Sequence, residues 1–412
     1  MVRSGCLEIG AIEMGRTGTE AARLLAMMVD VRSLLLVSGV LAGCTSGSKS
    51  KGRCGESTVP TTGIGPATQL NDALGLGGAL AVGVGNDLVG DDTDAHAWAL
   101  EPPPPIHYLY LVGLPDRGGW PEWNEDGGFI DKHVEAATEQ CVVPSFSLYA
   151  MAVDGEGDPG TAANRAYMEQ WWAGFELAIA RLGASDTPAL LHVEPDFWGF
   201  MQQKTGLPAS AVRVGVTAFV PECADLPDTL AGFGTCVVRR TRSVAPKVKL
   251  GFHASLWADP DPRAVGRFLL EAGAADTDVL FVETLDRDAG CFEASAPACQ
   301  RSDGPWYWDE TNTRSPNFRE HLAAAETLHT VTGLPLMWWQ MPLGVPNVRP
   351  GGRTGRYRDN RVAYFFDHPD EFAAAGGAGV LFGPGWRGQT DLTTDGGQFA
   401  GRWADHEPVE LP

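Results

Sequence analysis

Two carboxylates and an indole follow directly on a short apolar run near the middle of the chain. The run Ala189–Val193 is typical of a strand buried on both faces of a parallel sheet. It leads into Glu194, Pro195 and Asp196. Pro195 cannot donate to a sheet, so strand pairing ends where Glu194 emerges. Because parallel barrels carry their chemistry at the carboxyl ends of their strands, we interpret this stretch as part of a functional site. The alternative is a glutamate that only caps a neighbouring loop.

A second carboxylate, Glu283, ends another apolar run. In one parallel barrel, both carboxylates would lie at the same mouth. Side chains alternate along a strand, which puts His192 in the barrel interior with Glu194, and Trp338 there with Gln340. The sequence therefore predicts that Glu194, Glu283 and Gln340 line one pocket.

Aromatic side chains are frequent in the segments that follow the predicted strands. Indole faces cover the apolar faces of sugar rings, whereas carboxylates and amides bind hydroxyl groups. A single tryptophan is more often packed in the barrel wall, but seven in these segments favour a carbohydrate-binding basin. The residues predicted to contact the sugar are His192, Trp198, His253, Trp257, Trp338, Gln340 and Trp386.

Apolar runs alternate with amphipathic helical segments, which predicts a single (β/α)8 TIM barrel, with some irregularity. The predicted strands are residues 79–85, 106–112, 142–148, 189–194, 248–253, 279–283, 336–340 and 379–382. Residues 161–182 predict one long helix that stops at Gly183. Residues 211–217 are a ninth strand candidate, and the connection after residue 85 holds at most a short helix. We place Glu194 on the fourth strand; without the first run it would move to the third.

The amino-terminal region is predicted to be a targeting signal. An apolar core ends in Leu41-Ala42-Gly43-Cys44, which resembles the cleavage box of a bacterial lipoprotein signal. We predict residues 1–43 as an upstream extension plus signal, 44–72 as a flexible tether and 73–412 as the barrel domain. Lipid on Cys44 would anchor the protein to the membrane without spanning it, so the expected location is the cell envelope, outside the cytoplasm.

The cysteines fit an oxidising compartment. Pairs close in sequence suggest the disulfides Cys223–Cys236 and Cys291–Cys299. Cys141 begins an apolar run and is predicted to be a free buried thiol. The cysteines lack zinc-finger spacing.

Part of the chain resembles known glycoside hydrolases. Glu194-Pro195-Asp196 resembles the E-P-D element of glycoside hydrolase family 6, whose later Gly-Glu-Ser motif is absent here. The Glu-Pro on strand four also resembles the acid/base position of the large barrel clan of retaining glycoside hydrolases. That clan has its nucleophile on strand seven, where this chain has Gln340. Its mechanism therefore does not carry over.

A wider resemblance covers most of residues 105–400 and is to a set of secreted bacterial barrel proteins. It implies the fold and secretion but no activity. Its motifs are Glu194-Pro195-Asp196-Phe197-Trp198-Gly199, Asp286-Arg287-Asp288, Trp339-Gln340-Met341-Pro342-Leu343-Gly344, Asp359-Asn360-Arg361-Val362 and Phe382-Gly383-Pro384-Gly385.

Hydrolysis of a glycoside needs one carboxyl that donates a proton and one carboxylate that acts as base or nucleophile. We predict a glycoside hydrolase with Glu194 as general acid and Glu283 as its partner. Asp196 is the reserve for either role. Whether the reaction inverts or retains depends on the carboxyl separation, which a sequence does not contain.

Other chemistries are less favoured. His192, Glu194, Asp196, His253 and Asp259 could form a metal site, but no His-x-His or His-Glu-x-x-His spacing supports one. We therefore assign no metal and no cofactor. A net charge of −21 argues against nucleic acid as a partner. We expect a monomer whose partners are a carbohydrate and, through Cys44, the membrane. The competing function is a surface lipoprotein that binds glycan without cleaving it.

Overall fold

The structure is a computed structural model that describes residues 64–85, 96–153, 155–301, 304–346, 349–385 and 388–412. The predicted signal with Cys44, residues 45–63 of the predicted tether, and Trp386 lie outside the described residues. Among the described helices, none is both long and apolar enough to cross a membrane.

Eight parallel strands close into a barrel, as predicted. Each consecutive pair is hydrogen-bonded, and the last strand pairs with the first. Every residue of five of the strands is buried, because the interior is filled with side chains and helices cover the outside. The strands are β1 Ala81–Gly85, β2 Ile106–Val112, β3 Val143–Tyr149, β4 Ala189–Val193, β5 Val248–Ala254, β6 Val279–Val282, β7 Leu336–Met341 and β8 Gly377–Phe382.

From β2 onward, α-helices connect successive strands and pack around the barrel, whereas the described part of the connection from β1 to β2 holds only the short 3-10 helix His96–Ala99. The α-helices are α1 Pro66–Leu74, α2 Trp120–Trp123, α3 Phe129–Glu139, α4 Pro159–Ala163, α5 Arg165–Ala184, α6 Phe197–Thr205, α7 Leu230–Val244, α8 Pro262–Glu271, α9 Ala289–Glu293, α10 Phe318–Thr332, α11 Arg361–Asp367, α12 Pro369–Ala374 and α13 Gln398–Ala404. A short 3-10 helix, Ala150–Val153, follows β3. A two-stranded hairpin pairs Gly352–Arg353 with Arg356–Tyr357.

Residues next to the helix ends cap several of the helices. The Asp261 side chain accepts a hydrogen bond from the Arg263 amide at the start of α8. Asn317 and Glu320 form a capping box at the start of α10, and Gly333 ends that helix in a left-handed conformation. These ends are set by residues next to them in the chain.

Two predictions about secondary structure are wrong. Residues 161–182 are not one helix, because Asn164 is extended and its side chain caps α5 by accepting from the Tyr167 amide. Gly183 lies inside α5, and a Cβ there would come 2.2 Å from the Val244 carbonyl oxygen. This glycine permits close packing and does not stop the helix. Residues 211–217 form a loop held by the Asp228 carboxylate, which accepts from the amides of Val216 and Thr217.

Cysteine pairing is confirmed at two sites and corrected at a third. Cys223–Cys236 and Cys291–Cys299 are disulfides. Cys141 is neither free nor buried: it is exposed and disulfide-bonded. Its partner lies outside the described residues, since the other described cysteines pair with one another. The apolar run that suggested burial begins one residue later, at Val142, and continues into β3.

Candidate active site

The Glu194 carboxylate points away from the barrel interior. It accepts hydrogen bonds from the amides of Ala150 and Met151, at 3.1 and 3.2 Å, and from the Trp171 indole at 2.6 Å. Trp171 belongs to α5, which covers the outside of the barrel. Glu194 has 0% of its surface exposed. The prediction that Glu194 faces Glu283 across the mouth is therefore wrong.

Backbone conformation explains the reversal. Glu194 and Asp196 have φ of 49° and 60°, a region that side-chain-bearing residues seldom adopt. Strand alternation fails at the first of these residues, because the chain no longer follows the pleat. Such conformations persist only where surrounding contacts impose them, and they concentrate at functional sites. The turn sends Glu194 outward and leaves Asp196 at the mouth.

Asp196, His253 and Glu283 come together at the carboxyl-terminal mouth, and we call them the mouth triad. One potential ligand atom from each lies within 4.8 Å of the others. The Tyr149 hydroxyl donates to Asp196 Oδ2 at 2.7 Å, and the Trp257 indole donates to Glu283 Oε1 at 3.0 Å. The residue held in reserve thus takes the place predicted for Glu194, and Glu283 lies where the sequence predicts.

A row of polar side chains crosses the interior below the mouth. His253 Nδ1 lies 3.2 Å from His192 Nε2, and His192 Nδ1 lies 3.3 Å from Ser147 Oγ. His192 also stacks on Phe281 with a centroid distance of 4.1 Å. His192 and His253 are fully buried, so they support the mouth from beneath and do not form its surface.

Burial and mutual repulsion dominate the electrostatics of the site. Burial raises the pKa of Asp196 to about 6; the Tyr149 hydrogen bond opposes this rise, and the charge of Asp286 adds to it. Burial, followed by the charges of Asp196 and Asp286, holds the pKa of Glu283 well above its usual range. Burial lowers the pKa of His253 to about 3, so its imidazole is neutral at physiological pH. The two carboxyl groups therefore resist carrying full charge together.

Tryptophans predicted to contact substrate are divided between the mouth and the helical layer. Trp198 stacks on Phe252 at 4.1 Å and is buried, and Trp338 is buried with its indole donating to His321 Nε2 on α10. Neither can touch a ligand in the mouth. Trp257 is 38% exposed and is held by its bond to Glu283. It is the described tryptophan from that set that lies at the site.

A bulge in β7 decides which of its residues face inward. Trp339 packs edge-on against the rings of His192 and His253, so it fills the interior in place of Trp338. The pairing of β7 with β8 shifts register between Val380 and Phe382, and Gln340 has φ of 55°. Gln340 Nε2 lies 3.1 Å from where a Cβ at Gly385 would be, which places the amide against the loop after β8. The prediction that Trp338 faces inward is wrong.

The other shared motifs hold the loops around the mouth. The Asp288 carboxylate accepts from the amides of Gly344 and Thr390, at 3.1 and 2.8 Å. Arg361 and Asp359 form a fully buried ion pair of 2.8 Å. A Cβ at Gly344 would come 2.2 Å from the Asp359 Cβ. These residues are structural, and they tie together the loops after β6, β7 and β8.

Sequence reasoning missed Tyr149, Trp339 and Asp286 as members of the site. Tyr149 ends β3 and looks like an ordinary strand residue. In the sequence, Asp286 belongs only to a shared motif; in the structure its charge acts on Asp196 and Glu283, and it forms an ion pair with Arg287. Its position three residues after Glu283, at the end of a strand, was the signal available for it.

No protein-family model matches the chain, and no curated protein matches it. Solved structures do match. A Bacteroidetes-affiliated GH5 cellulase linked with a polysaccharide utilization locus is 12% identical with a TM-score of 0.48, over 83% of this chain and 96% of that chain. The GH53 catalytic domain of Ignisphaera aggregans is 10% identical with a TM-score of 0.47, over 86% and 97%.

An endo-β-1,4-mannanase from Thermotoga petrophila is 11% identical with a TM-score of 0.45, over 82% of this chain and 77% of that chain. At these identities and TM-scores the neighbours carry no argument about the chemistry of this chain.

Proposed function

We propose that this protein is a glycoside hydrolase whose catalytic pair is Asp196 and Glu283. The observation that carries the proposal is their placement: two partly exposed carboxyl groups at the carboxyl-terminal mouth, with ligand atoms within 4.8 Å of each other. Paired carboxyl groups at such a mouth are what glycoside hydrolysis requires. Glu194, by contrast, is closed off from any substrate.

The distance between the carboxyl groups of Asp196 and Glu283 favours a retaining mechanism. Retaining enzymes hold their carboxyl groups about 5–5.5 Å apart, whereas inverting enzymes leave about 6.5–9.5 Å for a water molecule. One oxygen of Asp196 and one of Glu283 lie within 4.8 Å of each other, which favours the shorter, retaining spacing. The product should therefore keep the anomeric configuration of the substrate.

Hydrogen bonding suggests the division of roles. The short bond from Tyr149 stabilises the carboxylate form of Asp196 and orients it, which suits a nucleophile. Glu283 takes the role of proton donor. In the first step Asp196 bonds to the anomeric carbon while the Glu283 proton passes to the departing oxygen. In the second, Glu283 takes a proton from water, whose oxygen displaces Asp196 and releases the sugar.

Trp257 provides a surface for the sugar ring beside Glu283. Its indole nitrogen is bound to the catalytic carboxylate, and part of its surface is open to solvent. Aromatic faces of this kind pack against the C–H groups of a sugar. We further propose that lipid on Cys44 holds the enzyme at the cell envelope, near polymeric carbohydrate.

A reducing-sugar assay over neutral and acidic polysaccharides tests the proposal, with direct binding measured in parallel. Asp196→Asn and Glu283→Gln should abolish most product formation while leaving glycan binding. Asp186→Asn is the matched control, because Asp186 is fully exposed and precedes β4 at the opposite end of the barrel. Binding across the panel without any product from the wild type would instead establish the non-catalytic glycan-binding lipoprotein.

A further inference from the structure

His253 has a buried ring nitrogen that lacks a hydrogen-bond partner. Its Nε2 is fully enclosed, and no described residue donates to it or accepts from it. The nearest ionisable atom is Glu283 Oε1, at 4.0 Å. A buried polar atom without a partner costs about 1–3 kcal/mol, so its presence beside two carboxylates requires an explanation.

We propose that the mouth triad is a binding site for one divalent metal ion, and that Zn²⁺ is the ion it suits best. One imidazole nitrogen and two carboxylate oxygens are a ligand set that zinc accepts. Three protein ligands leave a fourth position for water or another small ligand. This inference goes beyond the proposed hydrolysis, because it needs only the three side chains and no glycosidic chemistry.

The geometry needs only a small adjustment. Zinc–nitrogen and zinc–oxygen bonds of about 2.0–2.2 Å place tetrahedral ligand atoms about 3.3 Å apart. The ligand atoms of the mouth triad lie within 4.8 Å of one another, and His253 Nε2 is 4.0 Å from Glu283 Oε1. Small side-chain rotations of Asp196 and Glu283 would close the set around an ion, since both side chains are only partly buried.

Each of the three ligands is oriented by a neighbour, as in built metal sites. Tyr149 donates to Asp196 Oδ2, and Trp257 donates to Glu283 Oε1. A proton on His253 Nδ1 directed at His192 Nε2, 3.2 Å away, leaves the Nε2 lone pair facing the two carboxylates. With that tautomer, His192 can in turn donate from Nδ1 to Ser147.

Charge around the mouth triad favours a cation. Asp196 and Glu283 repel each other, and Asp286 adds to the negative potential at both. Arg287 offsets part of this, but it is paired with Asp286. A divalent ion between the carboxylates would relieve the repulsion and engage the orphaned imidazole nitrogen at the same time.

Zinc bound to the mouth triad would change the rate of the proposed hydrolysis. Both carboxylates that the proposed hydrolysis uses would be bound to the ion, so zinc would inhibit the reaction by competing for them. Ca²⁺ and Mg²⁺ favour oxygen-only sets of six or more ligands, so they would bind this site far more weakly.

Titration calorimetry of the full-length protein after treatment with a chelator tests the site, with Zn²⁺ as the probe. We expect one zinc ion per chain, no comparable heat with Mg²⁺ or Ca²⁺, and a loss of affinity exceeding about 100-fold in His253→Gln, since removing even a supporting residue costs about 10–100-fold. Glu283→Gln should weaken zinc binding as well. It provides an independent test of the same site if His253→Gln does not fold. His133→Gln is the control, because His133 is a buried histidine on α3, bonded to the His107 carbonyl away from the mouth.

Absence of zinc binding to the chelator-treated wild type would overturn the proposal, as would binding that neither variant weakens. Hydrolysis is assayed separately on the same samples. Zinc binding without any hydrolysis supports the metal site and removes the proposed function. Hydrolysis without zinc binding supports the proposed function and removes the metal site.

Discussion

The indole of Trp171 donates a 2.6 Å hydrogen bond to the Glu194 carboxylate, so the glutamate at the end of β4 is bound from the helical side of the barrel. The amides of Ala150 and Met151 complete its set of donors. Glu194 therefore joins the end of β4 to α5 and to the segment after β3. It holds the turn that presents Asp196 to the mouth.

Glu194→Gln should reduce stability and spare catalysis by the molecules that fold. The amide nitrogen of glutamine would face a donor, leaving at least one buried donor unsatisfied at a cost of about 1–3 kcal/mol. Denaturant unfolding measures the loss, and turnover per folded molecule is measured on the same samples. A fall in turnover of about 10² to 10⁴ with unchanged stability would return the role of general acid to Glu194.

Asp196→Asn and Glu283→Gln should each lower turnover by about 10² to 10⁴ without a matching loss of stability. Their responses to the leaving group should differ. Substrates with activated leaving groups need little proton assistance, so they should restore much of the activity of Glu283→Gln and little of that of Asp196→Asn. The comparison uses aryl glycosides with leaving groups of different acidity. Equal restoration in both variants would contradict the assigned roles.

Trp257→Ala should weaken substrate binding more than it slows the chemical step. Losing an exposed aromatic surface worth about 0.5–1.5 kcal/mol corresponds to a rise in KM of up to about tenfold. Trp257→Phe should keep much of that surface, and it shows separately what the bond to Glu283 contributes. If KM is unchanged and only kcat falls, Trp257 acts on Glu283 and does not bind the sugar.

Asp288 should make stability fall as pH rises. Burial, and then the charge of Asp359, raises its pKa from 3.8 to about 8 in the folded protein. Between these values the folded state holds a proton that the unfolded state releases, so wild-type stability declines across this window. Asp288→Asn should be less stable overall but should show a shallower decline between pH 5 and about 8.

Denaturant unfolding at several pH values measures the slope. Asp309→Asn is the control: hydrogen bonds from Thr311 and Thr313 lower the pKa of that carboxyl, so it stays ionised between pH 5 and about 8 in both states. Identical slopes for the wild type and Asp288→Asn would show that Asp288 is ionised when folded.

Cys44→Ser should release the protein from membranes, because the Leu41-Ala42-Gly43-Cys44 box predicts lipid on that cysteine. The measurement is fractionation of cells producing each form, with detection in the membrane and soluble fractions. Cys6→Ser should fractionate like the wild type. Retention of Cys44→Ser in membranes would indicate a different anchor.

Sequence by itself determined the barrel and the location of its mouth. Parallel strands buried on both faces appear as apolar runs, and all eight runs became strands. Helix ends at Asp261 and Gly333 follow from neighbouring residues that cap the backbone. Glu283 could be placed at the mouth because it directly follows β6, and the carboxyl-terminal ends of the barrel strands surround the mouth.

Only the tertiary structure decided which carboxylate accompanies Glu283. The left-handed conformation of Glu194 depends on donors from Trp171, Ala150 and Met151, which are distant in the chain. β7 contains two adjacent tryptophans, so either phase of alternation puts one of them inside, and packing against the histidines selects Trp339. Periodicity assigns a residue to a face only while the pleat is regular. At this mouth, contacts between distant segments break the pleat and set the site.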